Sequence, residues 1–200
     1  MPARLIPAAI AAAVSILVFT AASLVPYFAG DVAVARAVQA FSPGTAWATQ
    51  VTSLALQPVK FIVIPLAVGF AYWLAGWKGA ALTVAAIAIE QAGGEASKQI
   101  AQRPRPSRDL IAVVGNPSGF SFPSTFTTFI AVTFGSVLLL ALHSRAKMAV
   151  AAAALAALVI LLGWAARVAL GAHWPSDVVL TTVICLAWIW AARRVVLPAS

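Results

Sequence analysis

Two hundred residues with 62% hydrophobic side chains and only 9% charged ones lie far from a soluble domain, which carries about 45–50% apolar and roughly 25% charged residues. Most of the chain must therefore face lipid, which excludes a soluble enzyme, a disordered tail and a disulfide scaffold. Thirteen Lys and Arg against five Asp and Glu give a net charge of +8. Many of these cations stand at the ends of apolar runs, so they read as headgroup anchors and topology signals rather than as a nucleic-acid surface.

The first apolar run, Leu5 to Ala29, covers 25 residues. A signal peptide has an apolar core of about 7–15 residues, so this run reads as a retained helix. Between Gly30 and Gln57, Asp31, Arg36, Gln39, Gln50 and Gln57 are scattered through apolar sequence, the pattern of one or two interfacial amphipathic helices. Further runs follow at Val59–Trp77, Gly79–Ile100, Ser124–Leu142, Met148–Trp164 and Pro175–Ala192. Each approaches the ~20 residues needed to cross ~30 Å of hydrocarbon, Met148–Trp164 being short. The expectation is one all-α membrane domain over residues 1–200: a bundle of six transmembrane helices with an interfacial helical segment between the first and second. The single cysteine, Cys185, lies within the last run and reads as a small packing residue, with no intramolecular disulfide available.

The short loops sort the charges onto two sides. One side collects Arg4, Lys78, Arg145, Lys147, Arg193 and Arg194 without an acid; the other collects Arg36, Lys60, Lys98, Arg103, Arg105, Arg108 and Arg167 with Asp31, Asp109 and Asp177. The cation counts are nearly equal, so the acid-free side is taken as cytoplasmic on the premise that some opposing cations serve a ligand. The high alanine content suits a bacterial plasma membrane, with the ligand side facing the periplasm.

Three polar segments fall on that ligand side. In Lys98-Gln-Ile-Ala-Gln-Arg103-Pro-Arg105-Pro106 the prolines end the third helix, leaving Lys98 in its last turns and Arg105 just beyond. In Ser121-Phe-Pro-Ser124-Thr-Phe126, Pro123 suits a first helical turn, so the free N–H groups of Ser124, Thr125 and Phe126 would face the interface, a ready anion site. In Arg167-Val-Ala-Leu-Gly-Ala-His173-Trp-Pro-Ser-Asp177, Pro175 would begin the last helix, so that His173 and Asp177 can meet. Cations neutralise phosphoryl oxygens, Arg bidentately, and a His held by a carboxylate presents its other nitrogen as a nucleophile. Together these elements describe a phosphate-transfer site that calls for no metal or cofactor. Arg103 and Arg108 read as headgroup contacts. Glu95 reads as the i,i+3 partner of Lys98, and Glu90 is a functional candidate because an acid within a membrane helix is expensive.

At these residues the chain resembles the type 2 phosphatidic acid phosphatase superfamily, in its membrane lipid phosphatase branch. That family carries Lys, six residues, Arg-Pro; then Pro-Ser-Gly-His; then Ser-Arg, five residues, His, three residues, Asp. Lys98, Arg105 and Pro106 meet the first motif; Arg167, His173 and Asp177 meet the third, with Ala166 for the Ser. The motif region runs from 98 to 177. In the second motif Pro123 and Ser124 are kept, but Thr125 replaces Gly and Phe126 replaces the His that serves the family as general acid. The resemblance implies Lys98, Arg105, Ser124 and Arg167 as phosphate ligands, His173 as the nucleophile forming a phosphohistidine, and Asp177 as its orienting carboxylate. It implies a lipid phosphate or diphosphate as substrate, in contact with membrane lipids. General acid catalysis typically contributes ~10²–10⁴-fold and matters most for poor leaving groups. Without the His, lipid diphosphates such as isoprenoid diphosphates are expected to be preferred over phosphatidate, with Asp109 the nearest acid in sequence. Two other functions fit: a catalytically impaired relative that binds or translocates phospholipid headgroups, and a phosphotransferase passing the phosphoryl group to an acceptor other than water.

Overall fold

The structure, a computed structural model, describes residues 5–197; Arg4, used in sorting the charges, lies outside them. Every regular element among the described residues is helical: α1 (Ile6–Leu24), α2 (Asp31–Phe41), α3 (Ala46–Thr52) followed by a single 3₁₀ turn (Ser53–Ala55), α4 (Lys60–Ala101), α5 (Thr125–Ala141), α6 (Ala149–Ala169) and α7 (Pro175–Val196).

α4 is not one rod. Ala75 and Gly76 leave helical geometry, Gly76 with φ of 63°, a left-handed conformation that glycine adopts without Cβ strain. Lys60 Nζ then donates to Gln91 Oε1 at 2.8 Å, although 31 residues of straight helix would separate them by about 46 Å. The chain doubles back into two antiparallel arms, 60–74 and 77–101. Ser144 Oγ reaches the Leu74 carbonyl, which sets the α5–α6 turn at the same end as this bend.

α5 occupies the centre. It packs against α4, α6 and α7, and 12 of its 17 residues are buried, so it is shielded on all faces. α1 lies on the outer side of α7, where Trp188 donates to Ser15 Oγ at 2.9 Å. The outward faces of α1, α4 and α6 expose large apolar side chains such as Leu17, Phe61, Ile62 and Val150, as a lipid-solvated surface does. Cys185 is buried with Ile87, Ala131 and Val132, consistent with a packing role.

Several sequence expectations shift. Of the six expected crossings, only α1, α4, α6 and α7 are long and apolar enough to span a membrane by length and composition, α5 being a shorter apolar helix. α1 stops at Leu24 rather than Ala29, since Val25 is already extended ahead of Pro26, as the residue before a proline prefers. α6 continues to Ala169 and reaches 21 residues, so the run expected to be short is full-length and carries Arg167 in its last turn. Pro123 precedes α5 instead of lying in its first turn, because Ser124 is the N-cap. The Gly30–Gln57 region holds two short helices, α2 and α3, packed across α6 and, through α2, against α7.

A Cβ at Gly79 would stand 2.5 Å from the Ala71 carbonyl oxygen of the opposite arm. Gly79→Ala must therefore push the arms of α4 apart, at the roughly 1–3 kcal/mol typical of overpacking. The expected result is a lower melting temperature in detergent; an unchanged one would mean that the arms are not held together.

Candidate active site

The three motifs meet at the end of the bundle opposite the α4 bend. Lys98 is in the last turn of α4. Its ammonium lies 3.1 Å from Glu95 Oε1 and 3.4 Å from Thr125 Oγ1, and because the Glu95 side chain is 77% exposed that pair is screened by water. Beyond α4, Pro104 and Pro106 start a long loop that folds over the bundle end. Arg36 and Gln39 of α2 strap this loop through the Leu110 and Ala112 carbonyls. Gly171 lets it approach the turn before α7: φ is +62°, and a Cβ there would fall 2.0 Å from the Ala112 oxygen.

His173 sits in that turn, buried. Its Nδ1 lies 2.7 Å from the Ser121 carbonyl oxygen. A carbonyl can only accept, so the proton belongs on Nδ1 and Nε2 carries the lone pair. Nε2 faces Arg105 Nη1 at 3.3 Å. Arg105 is held by backbone carbonyls: Nε donates to Ser118 and Gly119, and Nη1 to Ala172 at 2.6 Å. Arg167 stacks over the Phe126 ring at 5.5 Å, and its buried Nε has no protein partner. Burial first, then the positive charges of Arg167, Arg105 and Lys98, push the His173 imidazole well below its usual range, against the opposing pull of the Ser121 carbonyl. Burial likewise lowers Arg105, offset by Asp177 and Glu95.

Asp177 does not hold His173 directly. Its Oδ2 is 3.9 Å from Nδ1, too far for a hydrogen bond. That oxygen accepts from Ser121 Oγ and from the Trp174 N–H at 2.9 Å, the second bond capping α7. Its other oxygen takes Arg103 Nη1 at 2.6 Å. The expected contact is thus relayed: Asp177 fixes Ser121, and the Ser121 carbonyl fixes the imidazole.

Arg103 corrects the reading of a headgroup contact. It is 1% exposed. Besides Asp177 it reaches Ser176 Oγ at 3.0 Å and Asp31 Oδ2 at 3.3 Å, and it stacks on Phe28. Asp31 is correspondingly buried, and it also accepts from the Phe28 N–H and from the Ser176 N–H and Oγ. Arg103, Asp31, Ser121 and Ser176 were not singled out from the sequence as site residues. An acid retained in a chain with only five was the available signal for Asp31.

Ser124 is also placed differently. It is fully buried, its Oγ accepts from the Thr127 N–H and Oγ1, and its own N–H donates to Thr181. As the cap of α5 it has its hydroxyl turned inward, so the geometry gives its side chain no open face for a phosphate. Thr125, half-buried beside Lys98, presents a hydroxyl there instead. Phe126 is 7% exposed and packs with Val63, Phe129, Ile130 and Ile160. Ala166 packs with Ala48, where the motif's Ser would add a hydroxyl to a close helix contact. Asp109 is exposed and takes the Ser107 hydroxyl. Arg108 donates to the Gly115 carbonyl.

A model of the PAP2 superfamily matches residues 79–199. No curated protein matches the sequence. Among solved structures, the chain is similar to the first transmembrane PAP2 type phosphatidylglycerolphosphate phosphatase from Bacillus subtilis, with a TM-score of 0.70 and 18% identity over 92% of this chain and 94% of that one. At that identity the likeness is one of fold.

Arg103→Ala would leave Asp31 and Asp177 buried without their shared cation. Removing one partner of a buried pair costs about 3–5 kcal/mol. Thermal unfolding in detergent should fall accordingly, and more than for Arg108→Ala. Equal melting temperatures would mean that the network does not organise the site.

Proposed function

This chain belongs to the PAP2 superfamily, and we propose that it is a membrane lipid phosphatase removing a terminal phosphate from a lipid monoester or diphosphate through a phosphohistidine on His173. The observation that carries this reading is the imidazole itself: its proton is held on Nδ1 by a carbonyl, and its Nε2 lone pair is turned toward Arg105. Lys98, Arg105, Arg167 and the Thr125 hydroxyl are the proposed phosphate contacts. Their charge grows more valuable as negative charge gathers on the equatorial oxygens in the transition state. Nε2 attacks phosphorus and the bond to the leaving oxygen breaks. Water then attacks the phosphohistidine, releasing phosphate and regenerating the imidazole. Asp177 serves as a positioning residue through Ser121.

Phe126 has no proton to give. At that position the chemistry favours a lipid diphosphate, whose leaving phosphate is a weakly basic anion, over an alkyl phosphate. The same Phe126 favours the second reading, a relative that binds phospholipid headgroups without cleaving them. Phosphate release separates the two. Transfer to an acceptor other than water would appear as a phosphorylated product in place of free phosphate.

In the membrane, each arm of α4 and the shorter α5 would add a crossing, making six with α1, α6 and α7. The site end would then face the periplasm and the α4 bend the cytoplasm.

Detergent-purified protein should release phosphate from a polyprenyl diphosphate, and His173→Ala should abolish release in a folded protein. A wild-type rate from His173→Ala would overturn the mechanism. Vanadate should inhibit and chelators should not, because side-chain cations neutralise the phosphate. Attack needs the neutral imidazole. With the imidazole held below its usual range, the acid limb of kcat/KM should fall at a lower pH than an ordinary histidine would give. In intact cells, with Cys185 replaced, Ser107→Cys should react with an impermeant thiol reagent and Ser144→Cys should not. The reverse pattern would invert the orientation.

A further inference from the structure

We propose that Glu90 is the general acid that protonates the leaving oxygen in place of the absent motif histidine, an inference that rests on the phosphatase reading above. A cavity of about 230 Å³ lies between the 3₁₀ turn, both arms of α4 and the start of α5. Its lining includes Lys60, Glu90, Thr125, Phe126 and Arg167. It touches the proposed phosphate site at Thr125 and Arg167 without including His173 in its walls. A leaving group on a phosphoryl group held at Thr125 and Arg167 has this space beside it, and Glu90 is the acid that lines it.

The placement of Glu90 follows from helix geometry. Glu90, Gly94 and Lys98 recur every four residues and so share one face of the second arm of α4. Lys98 reaches Thr125 at 3.4 Å. A Cβ on Gly94 would lie 3.5 Å from Thr125 Cγ2 and 3.9 Å from Glu90 Oε1, so Oε1 and Thr125 flank one glycine. Any larger side chain at 94 would extend into that gap. Glycine inside a helix costs about 1 kcal/mol relative to alanine, and here it keeps the space between carboxyl and phosphate site open. The other carboxyl oxygen, Oε2, is taken by the Gln91 amide, whose own oxygen accepts from Lys60. Lys60 is seated over the Phe129 ring at 4.7 Å. Oε1 is the carboxyl oxygen that faces Gly94. Asp109, the nearest acid in sequence, is exposed and bonded to Ser107.

The step balances. As Nε2 of His173 bonds to phosphorus, the bond from phosphorus to the leaving oxygen breaks and its electron pair stays on that oxygen, which takes the proton of the Glu90 carboxyl. The resulting carboxylate accepts a proton from the water that attacks the phosphohistidine. Phosphate leaves, and both side chains return to their starting states. With this acid in place, an alkoxide becomes an acceptable leaving group, so the substrate class includes lipid phosphate monoesters.

The test compares wild type, Glu90→Gln and Glu90→Asp on phosphatidate and on a polyprenyl diphosphate, with His173→Ala as the blank. Wild type should cleave both lipids. Glu90→Gln should lose about 10²–10⁴-fold on phosphatidate, the range of general acid catalysis, and change little on the diphosphate. The fall in phosphatidate kcat on the alkaline side should vanish in that variant, a change that a structural role would not produce. If Glu90→Gln does not fold, Glu90→Asp reports instead, with a partial loss confined to phosphatidate. An equal loss on both lipids, no loss on phosphatidate, or a wild type that cleaves only the diphosphate would overturn the role of Glu90 while leaving the phosphatase reading intact. A wild type inert on both lipids would overturn the phosphatase reading itself.

Discussion

A guanidinium removed from water must find acids, and Arg103 finds one on each side: Asp31 at the start of α2 and Asp177 in the first turn of α7. Isolated charges at such burial are too costly to persist unpaired, so the three must assemble together. Their assembly brings the end of α4, the start of α2 and the start of α7 to one point. From there Asp177 reaches Ser121, Ser121 reaches His173, and the imidazole inherits its tautomer from an ion pair that it does not touch. The orientation of His173 is set two bonds away from the charges that secure it.

The cations around His173 have a different task. Arg105 spends its donors on backbone carbonyls of the loop and of Ala172, which fixes its position without neutralising it. Arg167 rests on an aromatic ring. Neither has an acid as its direct partner among these contacts, so no bonded carboxylate cancels their charge. This is preorganisation in the electrostatic sense, with dipoles and rings orienting charge that a counterion would have cancelled. Phe126 belongs to this arrangement: in the place of an acid it offers a platform for Arg167 and fills the core between α4, α5 and α6.

Much was legible in the sequence. The composition specified lipid as solvent, the apolar runs marked α5 and the start of α7 closely, and Lys98, Arg105, Arg167, His173 and Asp177 stood out because charge in so apolar a chain is conspicuous and its spacing survives in any fold. A break was legible at Lys78, where two apolar runs abut, but the structure makes the bend at Ala75 and Gly76, inside the first of those runs. The partnerships were not legible. Arg103 and Arg108 are equivalent in sequence, yet one is sealed in the bundle and the other bonds a surface carbonyl, since only tertiary structure brings Asp31 across 72 residues to meet Arg103. Ser124, read as a ligand, caps α5 with its hydroxyl bonded to Thr127, a direction that residue type and spacing do not reveal. The link from Asp177 to His173 runs through Ser121 because a four-residue spacing on a helix start brings the two side chains near each other without setting their angle. Residue type and spacing determined which chemistry was present; long-range packing decided which groups meet and which remain free to act.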